Sequence, residues 1–245
     1  MNGTKIEIET KDGVADAYVS HPGGEGPWPA VLFYMDGLGL RPSLFAMADR
    51  LASSGYYVLL PNMYYRSGAY APFEPATVFA GGSERERLMA LVNACDDAGA
   101  MRDTAAFLDF FDGQPLVSKG KIASNGYCLG GGLSMCAACN FPDRLAAAAS
   151  FHGGRFLTDP ATPAQIAASV RARVYIGVAE GDRAHTAEVT ARLEAALAAA
   201  KVPHAIELYP GTTHGFAVSD MPVYDQAASE RHWDRLLGLL REAFA

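Results

Sequence analysis

The chain contains few cysteines, little positive charge and no long apolar run. Its 245 residues include four cysteines, and 20 Lys and Arg stand against 27 Asp and Glu, which gives a formal net charge of −7. Because such a surface repels phosphate groups, we expect no nucleic-acid partner and no binding to anionic membranes. No apolar stretch approaches the roughly 20 residues that a membrane-spanning helix needs.

The four cysteines follow no disulfide-framework spacing, and residues 1–7 lack the apolar segment of a secretory signal. We therefore expect a reducing, cytoplasmic location. Cys136 and Cys139 form a CxxC, but no second CxxC or His-rich segment accompanies them, so we interpret both as core packing. Nothing in the sequence requires a metal or an organic cofactor, and we expect neither.

Short apolar runs alternate with helical patterns along the whole chain, which predicts one α/β domain over residues 1–245. We expect a mostly parallel central sheet with helices on both faces, and antiparallel strands at one edge, where apolar and polar residues alternate. The predicted strands are 6–9, 15–19, 30–34, 56–60, 121–127, 145–151, 174–179 and 205–209, and the predicted helices are 42–53, 87–93, 99–111, 187–201 and 224–244.

The most informative segment is Gly-Tyr-Cys-Leu-Gly-Gly at 126–131, directly after a strand-like run and directly before a helix-like one. This is the nucleophile-elbow pattern of an α/β-hydrolase, with Cys128 where serine usually stands. The flanking glycines leave room for a sharp strand-to-helix turn, and the helix N-terminus favours a thiolate. The alternative for Cys128 is a small buried apolar residue.

The other members of a triad follow in the chain order nucleophile, acid, histidine. Asp182 comes just after the predicted strand 174–179, and His214 lies in the loop after strand 205–209. Both therefore lie at the carboxyl ends of strands, where open α/β sheets bind ligands. Cys128 would act as nucleophile, His214 as base and Asp182 as the group that orients the imidazole, with Glu180 as the rival carboxylate.

Two further histidines lie near strand ends. His185 follows Asp182 closely and could compete for it, although chain order favours His214. His152 begins a His-Gly-Gly segment after strand 145–151, and we interpret it as a turn residue that could also touch the site.

These motifs give the chain a resemblance to a known family. It resembles the dienelactone hydrolase (carboxymethylenebutenolidase) family over nearly its whole length, through the segments 34–39, 55–61, 126–131, 180–182 and 213–216. The resemblance implies the α/β-hydrolase fold, a Cys128–Asp182–His214 triad and hydrolysis of a small ester or lactone through an acyl-enzyme.

The resemblance also implies an oxyanion hole made by the backbone N–H groups of Leu129 and Gly37. Two such donors stabilise the transition state by several kcal/mol, since one is worth about 3 kcal/mol in a serine protease. Asp36 stands where the family carries a glutamate that contacts the cysteine and helps to ionise it when substrate arrives. The shorter side chain leaves a second reading open, in which Asp36 is a turn former before Gly37.

Substrate contacts are implied by two arginines of the family. The first corresponds to Arg85 or Arg87, for which a solvated helix start with interleaved glutamates is the alternative. The second falls on Val218, four positions after His214, so a guanidinium is missing there. A neutral or singly charged ester is therefore favoured over a more highly charged lactone acid.

The segment 64–83 is rich in aromatic residues, Pro and Gly, and it is long for a loop. It is either a substrate lid or a satellite apolar cluster over the sheet. As a lid it would line an acyl or alcohol pocket with its aromatic side chains, Tyr64, Tyr65, Tyr70, Phe73 and Phe79.

Two other functions stay open from the sequence. On the same triad, the protein could be a promiscuous aryl-esterase or a phosphotriesterase. From a different class, it could be a non-catalytic thiol sensor or binding protein that retains the fold. The sequence favours neither a monomer nor a small homo-oligomer.

Overall fold

The protein is built around one eight-stranded sheet, which a computed structural model describes within residues 3–245. The strands are β1 (Thr4–Thr10), β2 (Gly13–Ser20), β3 (Ala30–Tyr34), β4 (Tyr57–Pro61), β5 (Ile122–Tyr127), β6 (Leu145–Phe151), β7 (Arg173–Ala179) and β8 (His204–Tyr209). Their order across the sheet is β1-β2-β4-β3-β5-β6-β7-β8. The pairs β1–β2 and β2–β4 are antiparallel, and all other pairs are parallel. The predicted sheet and its antiparallel edge are confirmed.

Helices connect the strands and cover both faces of the sheet. They are α1 (Pro42–Ser53), α2 (Pro75–Ala80), α3 (Ser83–Ala94), α4 (Asp97–Gly113), α5 (Leu129–Asn140), α6 (Arg155–Thr158), α7 (Thr162–Ser169), α8 (Ala187–Ala199) and α9 (Gln226–Ala243). On one face α4 packs on α5, while on the other Arg50 of α1 lies over the Trp233 ring of α9. No helix within residues 3–245 combines the length and the apolar content that crossing a membrane requires.

The central strands β3 and β5 are buried along their full length, as strands covered by helices on both faces of a parallel sheet should be. Strand β2 is instead exposed and buried in turn at its start, which matches its place near the sheet edge. Helix α1 has the predicted bounds, because Pro42 opens it and the left-handed Gly55 follows it.

Three helices escaped prediction, α2, α6 and α7. They have six, four and eight residues, too few to show a helical period of apolar positions. The loop predicted at 64–83 therefore contains α2, and α3 begins at Ser83 rather than at residue 87.

Strand β5 and helix α5 approach each other unusually closely at the turn between them. A Cβ atom on Gly126 would collide with the backbone of Gly130, and one on Gly130 would collide with the carbonyl oxygens of Tyr34 and Met35 in and after β3. The two glycines therefore let α5 start directly above the centre of the sheet.

This close approach makes a stability prediction. We expect Gly130→Ala to lower the free energy of unfolding by about 3 kcal/mol or more, because the new methyl group meets backbone atoms that cannot move aside cheaply. Guanidinium denaturation, with the midpoint and slope both fitted, measures this change.

Gly238→Ala is the matched control, since Gly238 lies inside α9 and a Cβ there would meet only the end of the Arg241 side chain. The control should gain about 0.5–1 kcal/mol from helix propensity. A Gly130→Ala variant as stable as the control would contradict the packing described here.

Candidate active site

Cys128 occupies the turn between β5 and α5 in a backbone conformation that only a few residues adopt. Its φ of 55° and ψ of −118° lie in the left-handed half of conformational space. Such strain persists where the surroundings hold it, and it is frequent at functional sites. The free thiol is half-buried, and the next residue, Leu129, is the first of α5. The sulfur therefore lies at the helix N-terminus, as the sequence predicts.

The loops after β7 and β8 bring the predicted acid and base together. His214 Nδ1 lies 2.7 Å from Asp182 Oδ2, while Asp182 Oδ1 accepts a hydrogen bond from the Ala184 N–H at 3.0 Å. The rival carboxylate, Glu180, instead accepts from the Gly211 N–H. His185 does not compete for Asp182, since neither of its ring nitrogens has a hydrogen-bond partner among the described residues.

The charges of this group are coupled to the sulfur. Burial lowers the pKa of His214, but the Cys128 sulfur and the Asp182 carboxylate outweigh it, and the pKa is raised above its usual range. Burial is the largest single influence on Asp182 and raises its pKa, yet the hydrogen bond to His214, the His214 charge and the Ala184 N–H together outweigh it, and the pKa is lowered. The imidazole is thus biased toward its cation between a carboxylate and a sulfur atom.

A cavity of about 350 Å³ opens over the sulfur and the imidazole. One wall is a single face of α3, at the helical spacing of Arg85, Leu88, Met89 and Val92. The other lining residues are Asp36, Gly37, Leu38, Phe79, Asn93, Cys128, Leu129, His152, Gly154, Arg155, His214, Gly215 and Met221. The lining is mainly apolar, with few polar groups, which is the usual character of a small-molecule site.

Both predicted oxyanion donors lie beside the nucleophile. A Cβ atom on Gly37 would be 3.9 Å from Cys128 Sγ, so that backbone passes directly by the sulfur. The Tyr64 hydroxyl donates to the Gly37 carbonyl at 2.8 Å and so fixes this loop from below. Leu129 follows Cys128 and lines the cavity. Gly37 and Leu129 thus both line the cavity that contains the Cys128 thiol.

The Asp36 carboxylate forms an ion pair with Arg41, which the sequence did not indicate. Its two carboxylate oxygens accept hydrogen bonds from Arg41 at 2.6 and 2.7 Å, and one of them also accepts from the Leu38 N–H. Arg41 pairs in addition with Asp220. Arg41 thus holds both oxygens of Asp36, which still lines the cavity, and the role of Asp36 in ionising Cys128 when substrate arrives stays a prediction.

The predicted substrate contacts divide in the same way. Arg85 lies exposed on the cavity wall, whereas Arg87 pairs with Glu84 at 2.7 Å and stacks on the Phe73 ring. Arg87 is thus not a cavity residue, and Val218 is fully buried away from the cavity.

The two predicted tyrosines are also outside the cavity. Tyr64 is buried beneath the Gly37 loop, and the Tyr65 hydroxyl donates to Asp103 at 2.7 Å. In the segment 64–83 only Phe79 lines the cavity, while Tyr70 packs edge-on against Tyr64 and close to Phe73. Most of this segment is therefore the satellite aromatic cluster.

Several cavity residues were missed from the sequence. The apolar face of α3 could have been found from its spacing, had the helix start been placed at Ser83. Arg155 lines the cavity from the short helix α6, and nothing in the sequence signals it. His152, which we interpreted mainly as a turn residue, does reach the cavity.

The CxxC cysteines lie away from this site on α5. Burial raises the pKa of the Cys136 and Cys139 thiols to about 12 each, so neither is a reactive thiolate at neutral pH. Within residues 3–245, no three His, Cys, Asp or Glu side chains are grouped so that they could hold a metal ion.

Comparison with known proteins places this chain in a family. The family model described as "Dienelactone hydrolase family" matches residues 15–244. A curated relative from Methylorubrum extorquens, named "Putative carboxymethylenebutenolidase", is 26% identical over 97% of this chain and 80% of its own length.

Solved structures with the same architecture include two of this kind. A structure titled "Putative Dienelactone Hydrolase" from Klebsiella pneumoniae superposes with a TM-score of 0.82 at 22% identity, covering 98% of each chain. A dienelactone hydrolase-like promiscuous phosphotriesterase from metagenomic libraries superposes with a TM-score of 0.79 at 24% identity, covering 99% of each. These two likenesses show the α/β-hydrolase fold. Because the family model matches nearly the whole of this chain, the chain belongs to the dienelactone hydrolase family of hydrolases.

Proposed function

We propose that the protein hydrolyses a small ester or lactone through an acyl-enzyme formed on Cys128. The observation that carries this proposal is the position of His214, which is hydrogen-bonded to Asp182 at 2.7 Å and has its pKa raised in part by the Cys128 sulfur. An imidazole held in this way can take a proton from the thiol and keep the cation stable beside it.

In the first step the Cys128 thiolate attacks the carbonyl carbon, and a carbon–sulfur bond forms as the carbonyl π electrons move onto oxygen. The Leu129 and Gly37 N–H groups donate hydrogen bonds to the resulting oxyanion and stabilise its negative charge. When the tetrahedral species collapses, the bond to the leaving alkoxide breaks, and the His214 cation gives the alkoxide its proton. A lactone opens at this point and stays attached through its acyl end.

In the second step a water molecule replaces the alcohol. His214, now neutral, accepts a proton from water as the oxygen attacks the thioester carbonyl. The carbon–sulfur bond then breaks, the acid leaves, and the thiolate–imidazolium pair is restored. Asp182 holds the imidazole in one orientation through both steps and offsets its charge.

We expect a compact substrate with an apolar body and at most one negative charge. Two arginines, Arg85 and Arg155, line the cavity, and Arg155 also pairs with Asp97 at 3.5 Å, which leaves Arg85 for the substrate. The α3 wall offers apolar contacts through Leu88, Met89 and Val92, and Arg85 is the predicted cation of the family that does line the cavity. At the position of the family's second arginine, Val218 is buried and offers no charge.

A phosphotriester is the second candidate substrate class, because a structural relative of the same fold is described as a promiscuous phosphotriesterase. The same nucleophile could displace an aryl oxide from phosphorus. Initial rates on a panel of aryl esters, lactones and aryl phosphotriesters, each measured for the wild type and for a Cys128 variant, rank these substrates.

The first prediction concerns the nucleophile. We expect Cys128→Ala to lose at least a thousandfold in kcat on the best ester of that panel, because no covalent intermediate can form. Cys139→Ala is the matched control and should keep wild-type activity, since Cys139 lies outside the cavity on α5.

Substantial hydrolysis of that ester by a folded Cys128→Ala variant would contradict the acyl-enzyme mechanism. A thiol sensor gives a different result, because its wild type has no esterase activity to lose. In the hydrolase, iodoacetamide labelling of Cys128 and loss of esterase activity should proceed at the same rate.

The second prediction concerns the two arginines of α3. We expect Arg85→Met to raise KM about five- to tenfold for an ester that carries a carboxylate, and to leave KM for its neutral analogue unchanged. The effect is smaller than for a buried charge-assisted hydrogen bond because Arg85 is exposed.

Arg87→Met provides the comparison, since Arg87 is held by Glu84 and Phe73. Arg87→Met should leave KM unchanged both for the ester that carries a carboxylate and for its neutral analogue. If the two variants weaken the charged ester equally, Arg85 does not act as a specific contact to the substrate carboxylate.

A further inference from the structure

We infer that His152 is a positioning residue for the nucleophile: together with the Gly154 N–H, its imidazole holds the Cys128 backbone and the neighbouring oxyanion donor in the reactive geometry. This inference rests on the proposed function, which assigns the nucleophile and the oxyanion donors but gives His152 no part.

The sheet brings the two residues together. Strands β5 and β6 are parallel neighbours, with Tyr127 opposite Phe151 at their last paired position. Cys128 and His152 are the next residues on the two strands, so the chains leave the sheet side by side. The same edge of the sheet thus presents the nucleophile and a histidine.

A hydrogen bond joins them and defines the imidazole. The Cys128 N–H points to His152 Nδ1 at 3.2 Å and to the Phe151 carbonyl at 3.1 Å. A backbone N–H can only donate, so Nδ1 carries no proton, and the neutral ring has its proton on Nε2. The histidine therefore acts here as an acceptor for the backbone of the nucleophile.

The glycine two residues later holds the other side of Cys128. The Gly154 N–H donates to the Cys128 carbonyl at 2.8 Å. Because a peptide group is planar, the plane that contains this carbonyl also contains the Leu129 N–H. Fixing the Cys128 carbonyl therefore fixes the direction of one proposed oxyanion donor. His152 sets the peptide plane before the nucleophile and Gly154 the plane after it.

The backbone of His152 is itself in an uncommon conformation. Its φ of 38° is left-handed, the residue is only 1% exposed, and Nε2 has no hydrogen-bond partner among residues 3–245. A glycine would adopt such a turn with less strain and would leave no side-chain donor unpaired. A buried imidazole at this position is explained by what it contacts.

The ring also contacts the proposed base. Its centroid lies 5.0 Å from that of His214, in a tilted edge-on arrangement, and 5.5 Å from the Phe216 ring. Burial lowers the pKa of His152 well below its usual range, and the nearby His214 and His232 act in the same direction. A neutral ring keeps Nδ1 free to accept and places no second cation beside His214.

Two variants separate the acceptor from the ring. His152→Asn puts a carbonyl oxygen near the place of Nδ1 and tolerates a left-handed φ, but lacks the ring. His152→Phe keeps a ring and lacks the acceptor. We expect the asparagine variant to keep kcat within about threefold of the wild type. The phenylalanine variant should lose at least tenfold in kcat while its KM stays within about threefold, with the fold of both checked by circular dichroism.

A second readout does not depend on ester turnover. The rate at which iodoacetamide labels the Cys128 peptide, followed by mass spectrometry, should fall at least threefold in the phenylalanine variant and little in the asparagine variant. The Cys139 peptide is the internal control. A wild type without esterase activity would defeat the proposed function, whereas this labelling pattern would still test His152.

The outcomes are distinct. Loss in the phenylalanine variant with retention in the asparagine variant supports the positioning role. Equal retention in both, equal loss in both, or the reverse order would overturn it. Should the phenylalanine variant fail to fold, His152→Leu takes its place, because leucine has the branched shape of asparagine without its acceptor.

Discussion

The structure depends on one sharp turn, in which the backbone of Cys128 is held in a left-handed conformation between β5 and α5. A turn of that kind lifts the sulfur out of the sheet and places it before the amides of a new helix. It is possible only because the adjoining backbones nearly touch, which requires glycine at positions 126 and 130. The neighbouring strand end then supports the turn from the side, where His152 and Gly154 engage both backbone groups of the cysteine. The strain at Cys128 is thus sustained by its surroundings, which is the usual condition for strain at a functional site.

Two ion pairs contribute to the charge around the Cys128 sulfur. The His214 imidazole is biased toward its cation by the sulfur and by Asp182, so the favourable partner for a thiolate is already in place. Another carboxylate, Asp36, lines the same cavity and would repel a thiolate or an oxyanion if it were unpaired. Its bidentate pair with Arg41 neutralises it, and that pair is buried, so solvent screens it little. Removing Arg41 alone would leave a buried negative charge on the cavity wall, which is far more costly than never having had the pair.

Much of the fold could be predicted because strong local patterns and tertiary packing agree. Strand β3 and helix α1 have the predicted bounds, since a continuous apolar run and a proline-to-glycine helix signal leave little choice. Chain order after the elbow also indicated the residues that meet at the cavity, His214 and Asp182. What the sequence could not indicate is the direction of long side chains. Arg85 and Arg87 are two positions apart on one helix and so point to different sides, and only packing shows that the first faces the cavity. The ion pair of Asp36 with Arg41 was missed for the same reason, since it is recognisable only once the loop is folded.

We propose that the reaction passes through a covalent intermediate on one thiol, that of Cys128. Rapid acid quenching of the wild type during turnover of an activated aryl ester, followed by peptide mass spectrometry, tests it most directly. We expect one acyl group per chain, attached at Cys128. Its formation should coincide with a burst of alcohol release whose size matches the enzyme concentration. Steady hydrolysis with no acylated peptide and no burst, or an acyl group on any residue other than Cys128, would contradict the account.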